Sequence, residues 1–72
     1  MSLPIRYYNN LAAVHFEEGA HDQCIATSRK AIEVGRAVRV DYKIVANSYA
    51  RIGHAYRAMD NFDDAIRAYE VN

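Results

Sequence analysis

The chain has 72 residues, nine basic and nine acidic side chains, and 51% hydrophobic residues. This composition excludes intrinsic disorder, and the zero net charge excludes the broad basic surface with which proteins bind nucleic acids or anionic membranes. The length predicts a small domain or a fragment of one, and no apolar run approaches the roughly 20 residues that span a bilayer. With one cysteine and no apparent signal leader, we expect no internal disulfide and a reducing compartment, cytoplasmic or alternatively nuclear.

The first half of the chain predicts a helical hairpin. Ser2 is the predicted cap of the first helix, and Pro4 is tolerated in its opening turn. Apolar positions then recur at helical spacing at Ile5, Tyr8, Leu11, Ala12, His15 and Phe16. Gly19 ends this helix, since glycine reaches left-handed geometry without a steric cost, and Asp22 starts the next. The second helix has an inward stripe of small and apolar residues, Cys24, Ile25, Ser28, Ala31 and Ile32.

The second half predicts another hairpin. No proline separates Ala31 from Gly53, and the boundary between the second and third helices is predicted between Gly35 and Asp41, with Asp41 as the cap. The third helix is predicted to face the core with Ile44, Tyr49, Ile52 and Tyr56. The fourth helix is predicted to face the core with Phe62, Ala65, Ile66 and Tyr69. Because no window alternates apolar and polar residues as a half-buried strand does, the fold class is all-α with about four helices.

The two halves repeat one pattern at a constant offset. Leu11 and Cys24 return as Ile52 and Ala65, each 41 residues later. Tandem helical hairpins form binding surfaces rather than reaction centres, because each unit buries one face on its neighbour and leaves another as a groove. We expect one domain over residues 1–72, with a first repeat over about 4–38 and a second over about 41–72.

Three segments resemble tetratricopeptide (TPR) repeats, and among these the middle TPR domain of the Hop-type stress-inducible co-chaperones. They are residues 8–19 (YNNLAAVHFEEG), 30–36 (KAIEVGR) and 48–53 (SYARIG). The resemblance implies antiparallel TPR hairpins stacked as an α-α superhelix. Since the usual TPR period is about 34 residues, an offset of 41 implies a lengthened pair of helices in the middle.

The resemblance also implies a partner. Hop-type co-chaperones link heat-shock protein 70 to heat-shock protein 90, and their groove holds the C-terminal Glu-Glu-Val-Asp of the chaperone through charge-assisted hydrogen bonds. By position, Asn10 and Arg51 match the family's clamp asparagine and arginine, whereas Asn47 stands where the family has a lysine. The other clamp residues of the family come from a preceding repeat, and the resemblance therefore implies a partial clamp.

Helical spacing places further side chains beside these three. One stripe on the first helix comprises Arg6, Asn10, Ala13 and Glu17, and a matching stripe on the third comprises Asn47, Arg51, His54 and Ala58. Under the peptide-binding interpretation both stripes face one groove, and under the alternative they are solvated faces. A second alternative is a self-associating structural module, such as a homodimer, which would exchange helices if residues 31–53 stayed one helix.

No catalytic residue, metal site or cofactor is predicted, and the chain is not expected to be an enzyme. The histidines lack metal-ligand spacing, and His15 and His21 are predicted to pack in the hairpin. Cys24 has no cation nearby in sequence to lower its pKa and is predicted to be a small buried residue.

Overall fold

The computed structural model describes residues 3–71. Over this range the chain forms four α-helices and no β-strand: α1 (Ile5–Glu17), α2 (His21–Ala37), α3 (Tyr42–Ala58) and α4 (Phe62–Glu70). Each helix packs on the next one in the chain, and α3 also touches α1. The all-α prediction with four helices is confirmed. The lengthened middle pair is also confirmed, since α2 and α3 have 17 residues each, whereas α1 has 13 and α4 has nine.

The helix ends at two predicted positions follow local backbone chemistry. Gly19 has a φ of 75°, in the left-handed region, and its N–H donates to the carbonyl of Phe16 at 3.0 Å, which closes α1. Asp41 caps α3, because its Oδ1 accepts a hydrogen bond of 2.8 Å from the backbone N–H of Lys43. Both predictions are confirmed.

The starts of α1 and α2 differ from the sequence-based expectation. Ser2 lies outside the described residues, and Pro4 holds the N-cap position of α1. The prediction that Asp22 starts α2 is wrong, because Ala20 is the N-cap and its carbonyl already accepts from the N–H of Cys24 at 2.9 Å. Asp22 therefore lies inside the first turn, where a carboxylate is favourable beside the positive end of the helix dipole.

The core lies between α2 and its two neighbours. The predicted inward stripe of α2 is buried in full, and Cys24, Ser28 and Ala31 have no exposed surface. These small side chains let α1 and α3 pack closely against α2. The main core cluster comprises Ala12, Cys24, Ile25, Ile32, Val45, Ile52, Ala55 and Ala68.

The inward stripe of α3 begins one residue later than predicted. Ile44 is 37% exposed, whereas Val45 is 6% exposed. Val45 precedes Tyr49 and Ile52 by four and seven residues, which are the spacings that keep side chains on one helix face. Ile44 is five residues before Tyr49 and falls off that face.

Two predicted inward residues of α4 are also exposed, Phe62 by 56% and Ile66 by 54%. Among the described helices α4 packs on α3 alone, through the buried side chains of Ala65 and Ala68 and through the ring of Tyr69. The apolar stripe of α4 is wider than the surface that α3 covers. Phe62 and Ile66 lie at its outer edge and are not covered by α3.

The connection between α2 and α3 breaks the helix. Residues 38–41 are not helical, and Arg39 has a φ of 55°. The N–H of Val40 donates to the carbonyl of Gly35 at 3.1 Å, which turns the chain so that α3 packs back on α2. The single helix over residues 31–53, on which an exchanged dimer depends, is therefore not formed in the described chain.

Candidate peptide-binding groove

A cavity of about 280 Å³ lies between α1 and α3, and we call it the α1–α3 groove. It is lined by Asn9, Asn10, Ala13, Asn47, Ala50, Arg51 and His54. The fold thus brings together five of the seven residues that the sequence proposed for the peptide site. The two helices meet here because α1 and α3 both pack on α2, which aligns one polar face of each.

The other two proposed residues do not line the groove. Arg6 and Glu17 are exposed on α1. The cavity extends along α1 only from Asn9 to Ala13, about one turn, and these two residues lie a further turn beyond it at either end. Sharing a helix face with Asn10 is therefore not sufficient to reach the groove.

Sequence reasoning missed two lining residues, Asn9 and Ala50. Asn9 Oδ1 accepts a hydrogen bond of 2.7 Å from Ser48 Oγ, which joins α1 to α3 beside the groove. Ser48 is 1% exposed, and a buried hydroxyl in an apolar stripe requires such a partner. The sequence offered no signal for Asn9, because both the burial of Ser48 and its partner on another helix are properties of the packed structure. Ala50 carries no polar side-chain group that sequence analysis could have found.

The groove has an excess of hydrogen-bond donors and positive charge. Among the described residues, the seven that line it include no carboxylate. Arg51 supplies a permanent cation, while Asn10 and Asn47 each offer a side-chain amide with two N–H donors. Such an arrangement favours an anion that can accept several hydrogen bonds at once, as a carboxylate does.

His54 contributes a neutral ring at neutral pH. Burial lowers the pKa of His54 below its ordinary value, and the nearby charges of Arg57 and Arg51 lower it further. Its Nδ1 is 2.7 Å from the hydroxyl of Tyr69, which lies on α4. The fourth helix therefore orients a side chain of the groove although it does not line the groove itself.

Gly53 allows this contact between α3 and α4. A Cβ at this position would lie 2.5 Å from Cε1 of Tyr69, well inside the contact distance of two carbon atoms. The ring of Tyr69 rests directly on the helix backbone, and from there its hydroxyl reaches His54. The small residue in the phrase at 48–53 thus fixes one end of the groove.

The remaining histidines and the cysteine take packing positions. The rings of His21 and Phe16 meet edge to face at 5.7 Å between centroids, and His15 is half buried beside Glu18. Cys24 is fully buried, and burial raises the pKa of its thiol. Within residues 3–71 no group of three or more His, Cys, Asp or Glu side chains is placed to hold a metal ion. In the same range no helix is long and apolar enough to cross a membrane.

Two helical hairpins that repeat at a constant offset and stack through neighbouring helices define a helical-repeat protein. The family model of the tetratricopeptide repeat matches residues 4–71, and the chain belongs to this family. The resemblance of the three sequence segments to TPR repeats is thereby confirmed.

Within this family, the chain is similar to the STI1 and Hsp70-Hsp90 organizing proteins. The chain is 41% identical over 66 residues to the heat shock protein STI1 of Saccharomyces cerevisiae, a match that covers 92% of this chain and 11% of that protein. It is also 41% identical over 70 residues to the Hsp70-Hsp90 organizing protein 2 of Arabidopsis thaliana, covering 92% of this chain and 12% of that protein. The chain therefore spans only about a ninth to an eighth of the length of these relatives.

A solved structure shows the same fold. The N-terminal domain of stress-induced protein-1 (STI-1) from Caenorhabditis elegans superposes with a TM-score of 0.89 and 39% sequence identity. The match covers 92% of this chain and 52% of that domain. The chain is homologous to a TPR domain of the STI1/Hop proteins and is a co-chaperone-like protein-interaction module.

Proposed function

We propose that this module binds the acidic C-terminal Glu-Glu-Val-Asp tail of heat-shock proteins 90 and 70 in the α1–α3 groove. The observation that carries the proposal is the convergence of Asn10, Asn47 and Arg51, from two helices, on one cavity lined without a carboxylate. The name of the plant relative, an Hsp70-Hsp90 organizing protein, supports the choice of partner. A buried free thiol at Cys24 suits the reducing cytoplasm in which we propose that the module acts.

The three donors contribute unequally to the proposed site. A hydrogen bond to a charged group contributes about 1.5–3 kcal/mol, whereas a neutral pair contributes about 0.5–1.5 kcal/mol. Arg51, as a permanent cation with a planar set of donors, is therefore the main anchor of the terminal carboxylates. Asn10 and Asn47 orient the peptide from opposite walls of the groove. The hydrogen bond between Ser48 and Asn9 holds these walls at a fixed separation.

Titration of a peptide ending in Glu-Glu-Val-Asp tests the proposal by fluorescence anisotropy. The same peptide with an amidated C-terminus is the ligand control, because it lacks the terminal carboxylate but keeps the side chains. We expect Arg51→Gln to weaken binding of the free-acid peptide by about tenfold or more. The matched control is Arg57→Gln, since Arg57 is exposed on the same helix and does not line the groove. Equal affinity for both peptides would refute the carboxylate clamp.

We propose self-association as a second candidate function, because both outer helices expose apolar side chains. On α1, Tyr7 is 46% and Val14 51% exposed, and on α4, Phe62 is 56% and Ile66 54% exposed. Two copies joined with α4 of one on α1 of the next would cover both faces in a head-to-tail contact. Light scattering at several protein concentrations tests this function. A mass of one chain at every concentration contradicts it, whereas a larger mass that Phe62→Ser reduces supports it.

A further inference from the structure

A second and larger cavity, of about 390 Å³, lies on the other side of α3, and we call it the α2–α4 cleft. Its floor is apolar and is formed by Ile32, Ile52 and Ala68, and the aromatic rings of Tyr49 and Tyr56 also line it. At 3.6 residues per turn, the α3 residues of this cleft point about 180° away from those of the α1–α3 groove. The two cavities are therefore separate and share α3 as their common wall.

Two arginines of α2 donate to tyrosines that line this cleft, although only Arg29 lines it directly. Nη2 of Arg29, which lines the cleft, donates to the hydroxyl of Tyr56 at 2.8 Å. Nη2 of Arg36 donates to the hydroxyl of Tyr49 at 2.8 Å, and its guanidinium lies 5.8 Å from the centre of that ring. Both acceptors are hydroxyl oxygens, and among the described residues neither arginine forms an ion pair. This side of the cleft thus carries two positive charges, and neither is held in an ion pair within residues 3–71.

The opposite rim is electrically balanced. Nη1 of Arg67 on α4 is 2.7 Å from Oδ1 of Asp64, one turn earlier in the same helix. The net charge of the cleft is therefore positive and concentrated on the α2 side. An occupant that complements it presents carboxylates toward α2 and an apolar group toward the floor.

The spacing of the two arginines suits an extended peptide. Arg29 and Arg36 are seven residues apart on one helix, which corresponds to about 10.5 Å along its axis. In a polyproline II segment, side chains three positions apart lie on the same side at a separation of about 9.3 Å. An intervening side chain points about 120° away from them, which directs it from the α2 wall toward the floor.

We propose that the α2–α4 cleft binds an internal acidic segment of a partner protein, with two carboxylates three positions apart and a bulky apolar side chain between them. This surface requires no free C-terminus, and so it is distinct from the site proposed in the α1–α3 groove. The module then holds two different peptide segments on opposite sides of α3.

The test uses the blocked peptide acetyl-Gly-Glu-Phe-Pro-Glu-Gly-amide, which has no terminal carboxylate for the groove to bind. Its addition to ¹⁵N-labelled protein, followed by NMR, should shift the resonances of Ile32, Tyr56 and Ala68 in a saturable manner. Arg29→Gln should weaken this binding by about fivefold or more. The matched control is Lys30→Gln, because Lys30 is an exposed cation of the same helix that interacts with Glu33 and does not line the cleft.

Three results would overturn the proposal. The first is that the peptide causes no saturable shift in the cleft, or shifts Asn10 and Arg51 of the groove instead. The second is that the control peptide with glutamine in place of both glutamates binds equally well, or that Lys30→Gln weakens binding as much as Arg29→Gln. The third is that cleft resonances shift with protein concentration alone, which would assign the cleft to a second copy of the chain.

Discussion

Replacing Gly53 by alanine should destabilise the protein, although alanine is the better helix former by about 0.8–1.0 kcal/mol. The new Cβ would lie 2.5, 2.7 and 2.8 Å from Cε1, Cδ1 and Cζ of Tyr69. Carbon atoms pack at about 3.5–4.0 Å, so the ring must retreat by about 1 Å. Overpacking of this kind costs about 1–3 kcal/mol. The retreat also stretches the 2.7 Å hydrogen bond to His54, worth about 0.5–1.5 kcal/mol.

The opposing effects leave a net loss of about 2 kcal/mol for Gly53→Ala, since the clash and the weakened hydrogen bond exceed the gain in helix propensity. For a domain of this size such a loss lowers the Tm by about 8–16 °C, measured by circular dichroism. The control is the same substitution in a Tyr69→Ala background, where the ring is gone and alanine should stabilise by up to about 1 kcal/mol. An equal cost in both backgrounds would show that the tyrosine ring is not the cause.

Three further outcomes are expected. Asn47→Lys should tighten binding of the free-acid tail peptide about threefold. A charged donor adds about 1 kcal/mol of binding free energy, and repulsion from Arg51 one turn away removes about 0.2–0.5 kcal/mol. Unchanged affinity would argue against Asn47 as a ligand contact. The folded-state pKa of His54 lies below the ordinary value of about 6.5, which applies in the unfolded chain. The contribution of His54 to stability should therefore be fully present above about pH 6.5 and decrease as the pH drops toward the folded-state pKa. His54→Gln should reduce that loss in urea unfolding as the pH drops below about 6.5, and an identical pH profile would contradict the reasoning. Asp41→Ala should cost about 1 kcal/mol by removing the cap on the N–H of Lys43, and an unchanged urea midpoint would show that the cap contributes nothing.

Two helix-end features that depend on local chemistry were predicted correctly from the sequence, whereas the start of α2 at Asp22 was not. Gly19 and Asp41 act within a few residues of themselves, and both hold their expected roles. The burial of Phe62 and Ile66 depends instead on which helix lies against α4. The sequence shows how wide an apolar stripe is, but the number of neighbours that cover it is a property of the packed structure. Both residues were therefore expected inward and are exposed.

The difference between sequence-local features and helix packing also explains which residues of the α1–α3 groove were predicted correctly. The family resemblance identified Asn10, Asn47 and Arg51, and helical spacing placed them on matching stripes of α1 and α3. Packing of both helices on α2 brings the three residues to one cavity. Spacing did not limit how far along α1 the cavity extends, and Arg6 and Glu17 were included although they lie beyond its ends. The hydrogen bond between Asn9 and Ser48 crosses between helices, so only the tertiary structure reveals it.

The order of the helix contacts has a consequence for folding kinetics. Apart from the smaller contact between α1 and α3, the helices of the described chain pack only on their immediate neighbours in sequence. Such contacts require only short loops to close. Helical bundles with local contacts of this kind fold in about microseconds to milliseconds, and we expect the same time scale here. The groove walls, α1 and α3, are not consecutive, and each must first dock on α2. We therefore expect the binding surface to form only after both helices have packed on α2.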